Sequence, residues 1–361
     1  MLKKSDLVEM RNESDLTKNI KKIFLSPLNS FGQWVIVVIV AVLFIFVPQW
    51  YPIDWELNTT GIWSRFPDTY DNPNHVYPPW SVILMLPYYW IRAEGARIFS
   101  VLVIGWLTHR NQWSLNHFLA IVLSPYFLIT MSKSSIDIFV LLLPILIWEY
   151  SDGKKWQSVG WGTAMCFSLL KPQGMVFIWV YWIWSNRRRF RELIIPLGIL
   201  ALVTIPTSLI GSPPLFIQWL ENILNPSAQN IYFWSNNNVS MTSHLGIIPG
   251  LLLISCLSLI LFFLTHSGRI VWTANHFYAS LLYLSFFLMP YTSQQSLSSA
   301  MAFVPSWASV ILQTVILKTS SYLTDYVKYM PWLVLILSFV SLLFYQPHKH
   351  QIPPDLTDPE K

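Results

Sequence analysis

The sequence predicts an all-α protein, a polytopic transmembrane helical bundle of roughly 11 spans with an exterior first loop and a juxtamembrane helix. Three observations lead there. The chain has 361 residues, of which 53% are hydrophobic and only 11% charged, where a soluble domain carries about 25% charged residues. Apolar runs recur from Gln33 almost to the end. The basic residues sit in short clusters beside those runs, the pattern of a positive-inside bias. The same clustering accounts for the net charge of +5 without any nucleic-acid partner.

Residues 1–32 are polar and charged, with Lys3, Lys4, Arg11, Lys18, Lys21 and Lys22. They lack the small-residue cleavage site that follows the apolar core of a signal peptide, and read as a cytoplasmic extension. Candidate spans then fall at 33–49, 96–109, 113–131, 134–150, 156–170, 172–185, 193–211, 244–266, 274–291, 297–317 and 331–345. Together, 33–345 form one transmembrane domain, and 346–361 a polar tail. Several spans fall short of the ~20 residues that cross a bilayer squarely, as happens where a bundle lines a wet cavity.

Orientation follows from the bases. The N-terminal lysines, His109-Arg110, Lys154-Lys155, Arg187-Arg188-Arg189-Arg191, Arg269, and Lys318 with Lys328 are all expected to be cytoplasmic. They agree with one another if segment 77–91 lies along the outer surface or dips into it; if it crosses, every later loop changes side. Its Pro78-Pro79, Pro87, Tyr88, Tyr89 and Trp90 suit an interface. The exterior then collects the first loop 50–96, the turns at 132–135, 170–174 and 291–299, and a second large loop at 212–243. Many of the 19 tryptophans flank spans, as interfacial belts do. Cys166 and Cys256 lie inside apolar runs, so no disulfide framework is indicated. No fixed-period repeat is visible, nor the halves-symmetry of many secondary transporters.

The polar oddities of the chain lie on the exterior side. The first loop holds Asp54, Glu56, Asp68 and Asp71, carboxylates able to hold a substrate, a metal ion or a proton. Asp54 follows the first span within Tyr51-Pro52-Ile53-Asp54-Trp55; there it reads as a general base or an anchor for a hydroxyl-rich substrate, beside the plainer reading of a polar loop. Asp71-Asn72-Pro73-Asn74 reads as turn chemistry. Lys171, in Leu170-Lys171-Pro172-Gln173, lies between two apolar runs. A charge there costs several kcal/mol unless paired, which makes it a functional candidate by default, against the plainer reading of a snorkelling side chain. Arg97 opens a span on the outer side, against the positive-inside trend, and can bind a phosphate bidentately. Lys133 and Asp137 frame the 132–135 turn and can pair with each other. The second loop brings Asn236-Asn237-Asn238 and His244. No Gly-rich phosphate loop, metalloprotease helix or cysteine metal motif is present.

In order along the chain, these features resemble the GT-C superfamily of integral-membrane glycosyltransferases, and within it the bacterial polyprenyl-phosphate-mannose-dependent mannosyltransferases. Three patterns carry the resemblance over roughly residues 33 to 270. They are Asp54 leading to Tyr77-Pro78-Pro79-Trp80, then Lys171-Pro172-Gln173 ahead of the Arg187 cluster, and Asn238-Val239-Ser240 ahead of a span. The branch often has Gly-Gln where this chain has Ser134-Ser135. What the resemblance implies is an extracytoplasmic transfer of a sugar, mannose by analogy, from a polyprenyl phosphate to an acceptor hydroxyl on a glycan or glycolipid, with inversion. Asp54 would be the catalytic base. Tyr77, Arg97, Lys171, Gln173, Asn238, His244 and Asp68 would contact substrate, and neither a cofactor nor a metal ion would be needed. The main rival is a transporter or flippase of a lipid-linked sugar, and a second is a non-catalytic membrane homologue.

Overall fold

The computed structural model describes residues 23–48, 66, 77–224, 240–241, 245–266, 273–288, 294–320 and 326–345. These residues are helical throughout, with no strand among them beyond one isolated bridge between Pro27 and Ser114. The all-α expectation therefore holds. Asp54, Asp68, Asn238 and His244, with Glu56 and Asp71, lie outside the described residues.

The first helix, α1 (Phe31–Leu43), starts where the sequence says it should. Ser30 accepts from the Gln33 N–H while the Gln33 side chain accepts from the Ser30 N–H, a capping box that satisfies two otherwise orphaned donors. A 3-10 turn, Phe44–Phe46, finishes the helix. Segment 77–91, expected as a separate surface helix, forms the short α2 (Ser81–Leu84) and the start of α3 (Leu86–Arg110). Arg92 breaks α3 with φ 59° and ψ 172°, and the part after the break corresponds to the expected 96–109 span. The next expected span, 113–131, is two helices, α4 (Leu115–Val122) and α5 (Pro125–Ser132), bent by 58°. Ser124 caps α5 and Pro125 opens it; proline lacks the N–H that would have continued α4.

A π-helical turn, Ile138–Leu142, leads into α6 (Leu143–Ser151). Its cause is Pro144, whose ring would collide with the Val140 carbonyl in a regular helix; widening the preceding turn avoids the collision. Then come α7 (Gln157–Ser168), α8 (Pro172–Ser185) and, after a 3-10 turn of arginines, α9 (Phe190–Ser208). Glycine allows α7 and α9 to approach closely: a Cβ on Gly162 would stand 2.7 Å from Ile199 Cδ1 and 3.2 Å from Pro196 Cα. The expected second exterior loop contains α10 (Leu215–Leu224). The remaining helices are α11 (Ile247–His266), α12 (Ala274–Leu288), α13 (Leu297–Phe303), α14 (Trp307–Ser320) and α15 (Tyr326–Phe344).

Contacts sort the helix termini into two ends. At one end, Leu28 N–H donates to Trp113 O at 2.8 Å, and His109 Nδ1 to Leu28 O at 2.7 Å. Arg110 pairs there with Glu149, and Asn275 donates to Asn111 Oδ1 at 3.1 Å. At the other end, the connections near residues 80, 134, 170 and 296 meet, with Trp219 of α10 beside Trp80. The described parts of the expected exterior turns at 132–135, 170–174 and 291–299 thus share one end, apart from His109-Arg110.

The expectation fails for residues 297–345. The single span expected at 297–317 is two helices, α13 and α14, separated at Val304–Ser306, where Pro305 cannot continue the hydrogen-bonded ladder. Ser298 sits beside Thr130, Trp307 Nε1 donates to Asn116 Oδ1, and Gln313 Oε1 accepts from Tyr126 N–H. The chain therefore descends toward the Arg110 end and returns. From there α15 runs antiparallel to α12, since Tyr283 meets Ser341 and Asn275 meets Tyr345. Nineteen residues of helix span about 28 Å. Lys318 and the start of α15 consequently lie at the end opposite Arg110, not with the other basic clusters. Among the described residues, Arg187–Ser208 is long and apolar enough to cross a membrane, and α4 with α5 qualifies only as a bent pair.

Candidate functional site

The Lys171 end of the bundle centres on the turn between α5 and α6. This turn is a Schellman motif: Ser134 N–H donates to Met131 O at 3.0 Å and Ser135 N–H to Thr130 O at 2.9 Å. The motif requires a left-handed residue one past the helix cap, and Ser134 fills it with φ 49°. A non-glycine residue there costs about 1 kcal/mol or more. The position's geometry explains why glycine suits it. Here the serine hydroxyl is used instead, accepting from Arg97 Nε and Nη2 at 3.3 Å each.

Arg97 is buried, 2% exposed. Besides Ser134 it donates through Nη1 to Val47 O at 2.8 Å, closing the carbonyl end of the α1 helical run. Cations there are favoured by the helix dipole. One guanidinium thus ties the exit of α1, which leads into the acidic first loop, to the 132–137 turn.

Asp137 closes that turn, and its side chain is fully buried. Its Oδ1 accepts from Lys171 Nζ at 2.6 Å, and its Oδ2 from Ser296 Oγ at 2.9 Å. Lys171 Nζ also donates to Ser296 Oγ at 2.9 Å, and Ser299 Oγ donates to Asp137 O at 3.2 Å. Lysine, aspartate and serine form a closed triangle. It draws together three parts of the chain: the start of the π-helical turn, the break between α7 and α8, and the 3-10 turn Gln294–Ser296 before α13. The expected pairing of Asp137 with Lys133 is replaced, in that the carboxylate meets Lys171. A buried pair of this kind gains Coulomb energy but loses hydration, so its net contribution to stability is small, whereas removing one partner is costly.

Lys171 occupies the helix break that its neighbours predict. It stands as the residue before α8, with Pro172 as first helical residue, and its side chain is only 7% exposed. Gln173 is half-buried in the first turn of α8. Trp80 reaches the same break, its indole donating to Leu169 O at 3.2 Å, and its ring meets Trp219 of α10 edge-on with centroids 5.9 Å apart. Tyr77 is buried. Tyr88 packs edge-on against Phe139 of the π-helical turn at 3.8 Å between centroids and lies within electrostatic reach of Asp137 and Tyr77.

Of the site residues that the resemblance implies, Arg97, Lys171, Gln173 and Tyr77 are described, and all four belong to this end. Arg97 and Lys171 grip the same turn, the first through Ser134 and the second through Asp137. Sequence reading gave Asp137 too little weight and passed over Ser134, Ser296 and Trp80 as individual contacts. For Asp137 the signal was present: an acid beside a long apolar run carries the same default presumption as Lys171. For Ser296 there was none, because a serine in a polar turn is ordinary. No group of three or more metal-ligating side chains occurs among the described residues. No family model matches the chain, and neither a curated protein nor a solved structure matches it.

Proposed function

We propose that this protein is a polytopic membrane glycosyltransferase of the GT-C kind, moving a sugar from a polyprenyl phosphate to an acceptor hydroxyl on the extracytoplasmic side. One observation carries the reading. Four segments that the basic residues assign to the exterior (77–80, 132–137, 169–173 and 294–296) meet in one buried polar cluster. Of the three patterns behind the GT-C resemblance, Tyr77–Trp80 reaches the helix break through the bond from Trp80 to Leu169 O, and Lys171–Gln173 begins two residues further on.

In this reading the membrane lies around the bundle with residues 27–30, 109–114 and 149–157 cytoplasmic and Lys318 outside. The donor's lipid lies in the bilayer with its phosphate at the cluster's level. Lys171 is paired with Asp137, so the pair shapes the site while the Arg97 guanidinium supplies positive charge beside it. That charge favours the phosphate as it departs. Arg97 also fixes Val47, and the seven residues from there to Asp54 reach at most roughly 25 Å. Asp54 takes the proton from the acceptor hydroxyl, which attacks the anomeric carbon opposite the phosphate and inverts it.

Asp54→Asn in membranes supplied with a polyprenyl-phosphate sugar is expected to lower transfer by about 10²–10⁴. Undiminished transfer rejects Asp54 as base, and loss only with Asp68→Asn or Asp71→Asn reassigns the role. A second reading, a transporter or flippase for a lipid-linked sugar, draws on the buried Lys171–Asp137 pair, since such pairs also mark translocation pathways. Movement of the lipid across the bilayer without sugar transfer would favour it.

A further inference from the structure

The opposite end of the bundle holds a second concentration of charge that the sugar chemistry does not use. Arg187, Arg188, Arg189 and Arg191 are all exposed between α8 and α9. Lys154 and Lys155, also exposed, lie alongside: Arg189 Nη1 stands 3.5 Å from Asp152 Oδ1, and Gln157 Nε2 donates to Glu192 Oε2 at 2.6 Å. Asp152 and Glu192 offset two of these six bases and leave a clear positive excess.

Directly below the arginines begins the helix that qualifies as a membrane span. Only 17% of its apolar window is buried, and Phe190, Ile194, Ile195, Leu202 and Ile205 are all exposed. Trp184 is 65% exposed and carries the Arg187 guanidinium over its ring at 4.4 Å, a cation–π contact that holds the arginine at the level of an interfacial indole. Clustered like charges repel one another in water. Beside an uncovered apolar helix face they match a ligand with a negative head and an apolar tail.

We propose that this corner binds an anionic phospholipid, with its phosphate among Arg187–Arg191 and an acyl chain along the exposed face of α9. Orientation by the positive-inside bias needs only charge on the correct side. The arrangement here adds a row of exposed arginines, an indole under one guanidinium and an exposed apolar stretch on the helix that follows. The inference rests on the membrane placement proposed above but not on glycosyl transfer. Equal retention of neutral and anionic lipid, with transfer intact, would sink the lipid site and leave the enzyme reading standing.

The test is native mass spectrometry of the full chain released from detergent, titrated with dioleoylphosphatidylglycerol or dioleoylphosphatidylcholine. Each base near a membrane surface favours anionic lipid by about fivefold, so after the offset by Asp152 and Glu192 the glycerol lipid should be retained at least about tenfold more tightly. Arg187→Gln/Arg188→Gln/Arg189→Gln/Arg191→Gln should abolish the difference. Should that variant fail to fold, the unmodified chain serves: a tenfold rise in ammonium acetate should erase the selectivity by screening. Equal retention of the two lipids, selectivity unchanged in the quadruple variant or at high salt, or displacement of the lipid by millimolar inorganic phosphate would each overturn the proposal.

Discussion

Lys171→Met strands the Asp137 carboxylate. Its side chain is fully buried, and of its two side-chain donors only the Ser296 hydroxyl would remain. Removing one partner of a buried ion pair typically costs about 3–5 kcal/mol, because the other charge is left without compensation. Asp137→Leu strands the ammonium in the same way and should cost a similar amount. The double variant removes both charges, and replacing a buried pair by apolar side chains is commonly neutral or stabilising by about 1–4 kcal/mol. The two singles should therefore each unfold below the parent, by about 4–7 °C in midpoint for a chain of this length, while the double recovers most of the loss. The assay is thermal unfolding of the purified full chain in one detergent, followed by helical circular dichroism at a fixed scan rate. A double variant as unstable as the sum of its singles would refute the reasoning, since independent sites add and coupled ones do not.

Further expectations follow from single contacts. Ser134→Gly relieves the left-handed backbone but deletes the acceptor of Arg97; gains of about 1 kcal/mol and losses of about 1.5–3 kcal/mol for a charged hydrogen bond leave a net destabilisation, read as a lower midpoint. Trp80→Phe removes the donor to Leu169 O and should cost about 0.5–1.5 kcal/mol, with sugar transfer falling as the Lys171 break loosens. Gly162→Leu drives a side chain into Ile199 and Pro196 and should destabilise by about 1–3 kcal/mol through overpacking. Single cysteines at Lys318 and Arg188, in a background lacking Cys166 and Cys256, should be labelled by a membrane-impermeant maleimide from opposite sides; labelling of both from one side contradicts the path traced for α13 to α15.

Much of the helix order was legible because apolar runs mark it, with Pro172 marking the Lys171 break; Pro125, Pro144 and Pro305 also stand where the structure breaks or distorts a helix, but inside runs that read as single spans. The two ends of the bundle were legible from His109-Arg110 and the Arg187 cluster. The return of α13 and α14 was not. Residues 297–317 read as one apolar stretch, and Lys318 with Lys328 resembled the other basic clusters, so the charge rule assigned them to the wrong end. What decides the path is tertiary: the seats of Ser298 on Thr130, Trp307 on Asn116 and Tyr345 beside Asn275. At the candidate site, Lys171 announced itself because a lysine flanked by apolar runs is expensive. Asp137 was equally exceptional, but a lysine four residues away offered a nearer partner. Only the fold brings in the carboxylate's second donor, Ser296, from 159 positions away.

The central claim is enzymatic, and the acceptor is open, so the most direct measurement needs no chosen acceptor. Cell-envelope glycans from the source cell would be compared by mass spectrometry with the chain deleted, restored, or restored as Asp54→Asn. The expected result is a glycan shortened by one hexose on deletion, made whole by the parent chain and left short by the Asn variant at equal protein level. Identical glycans in all three strains, or full repair by Asp54→Asn, would contradict it.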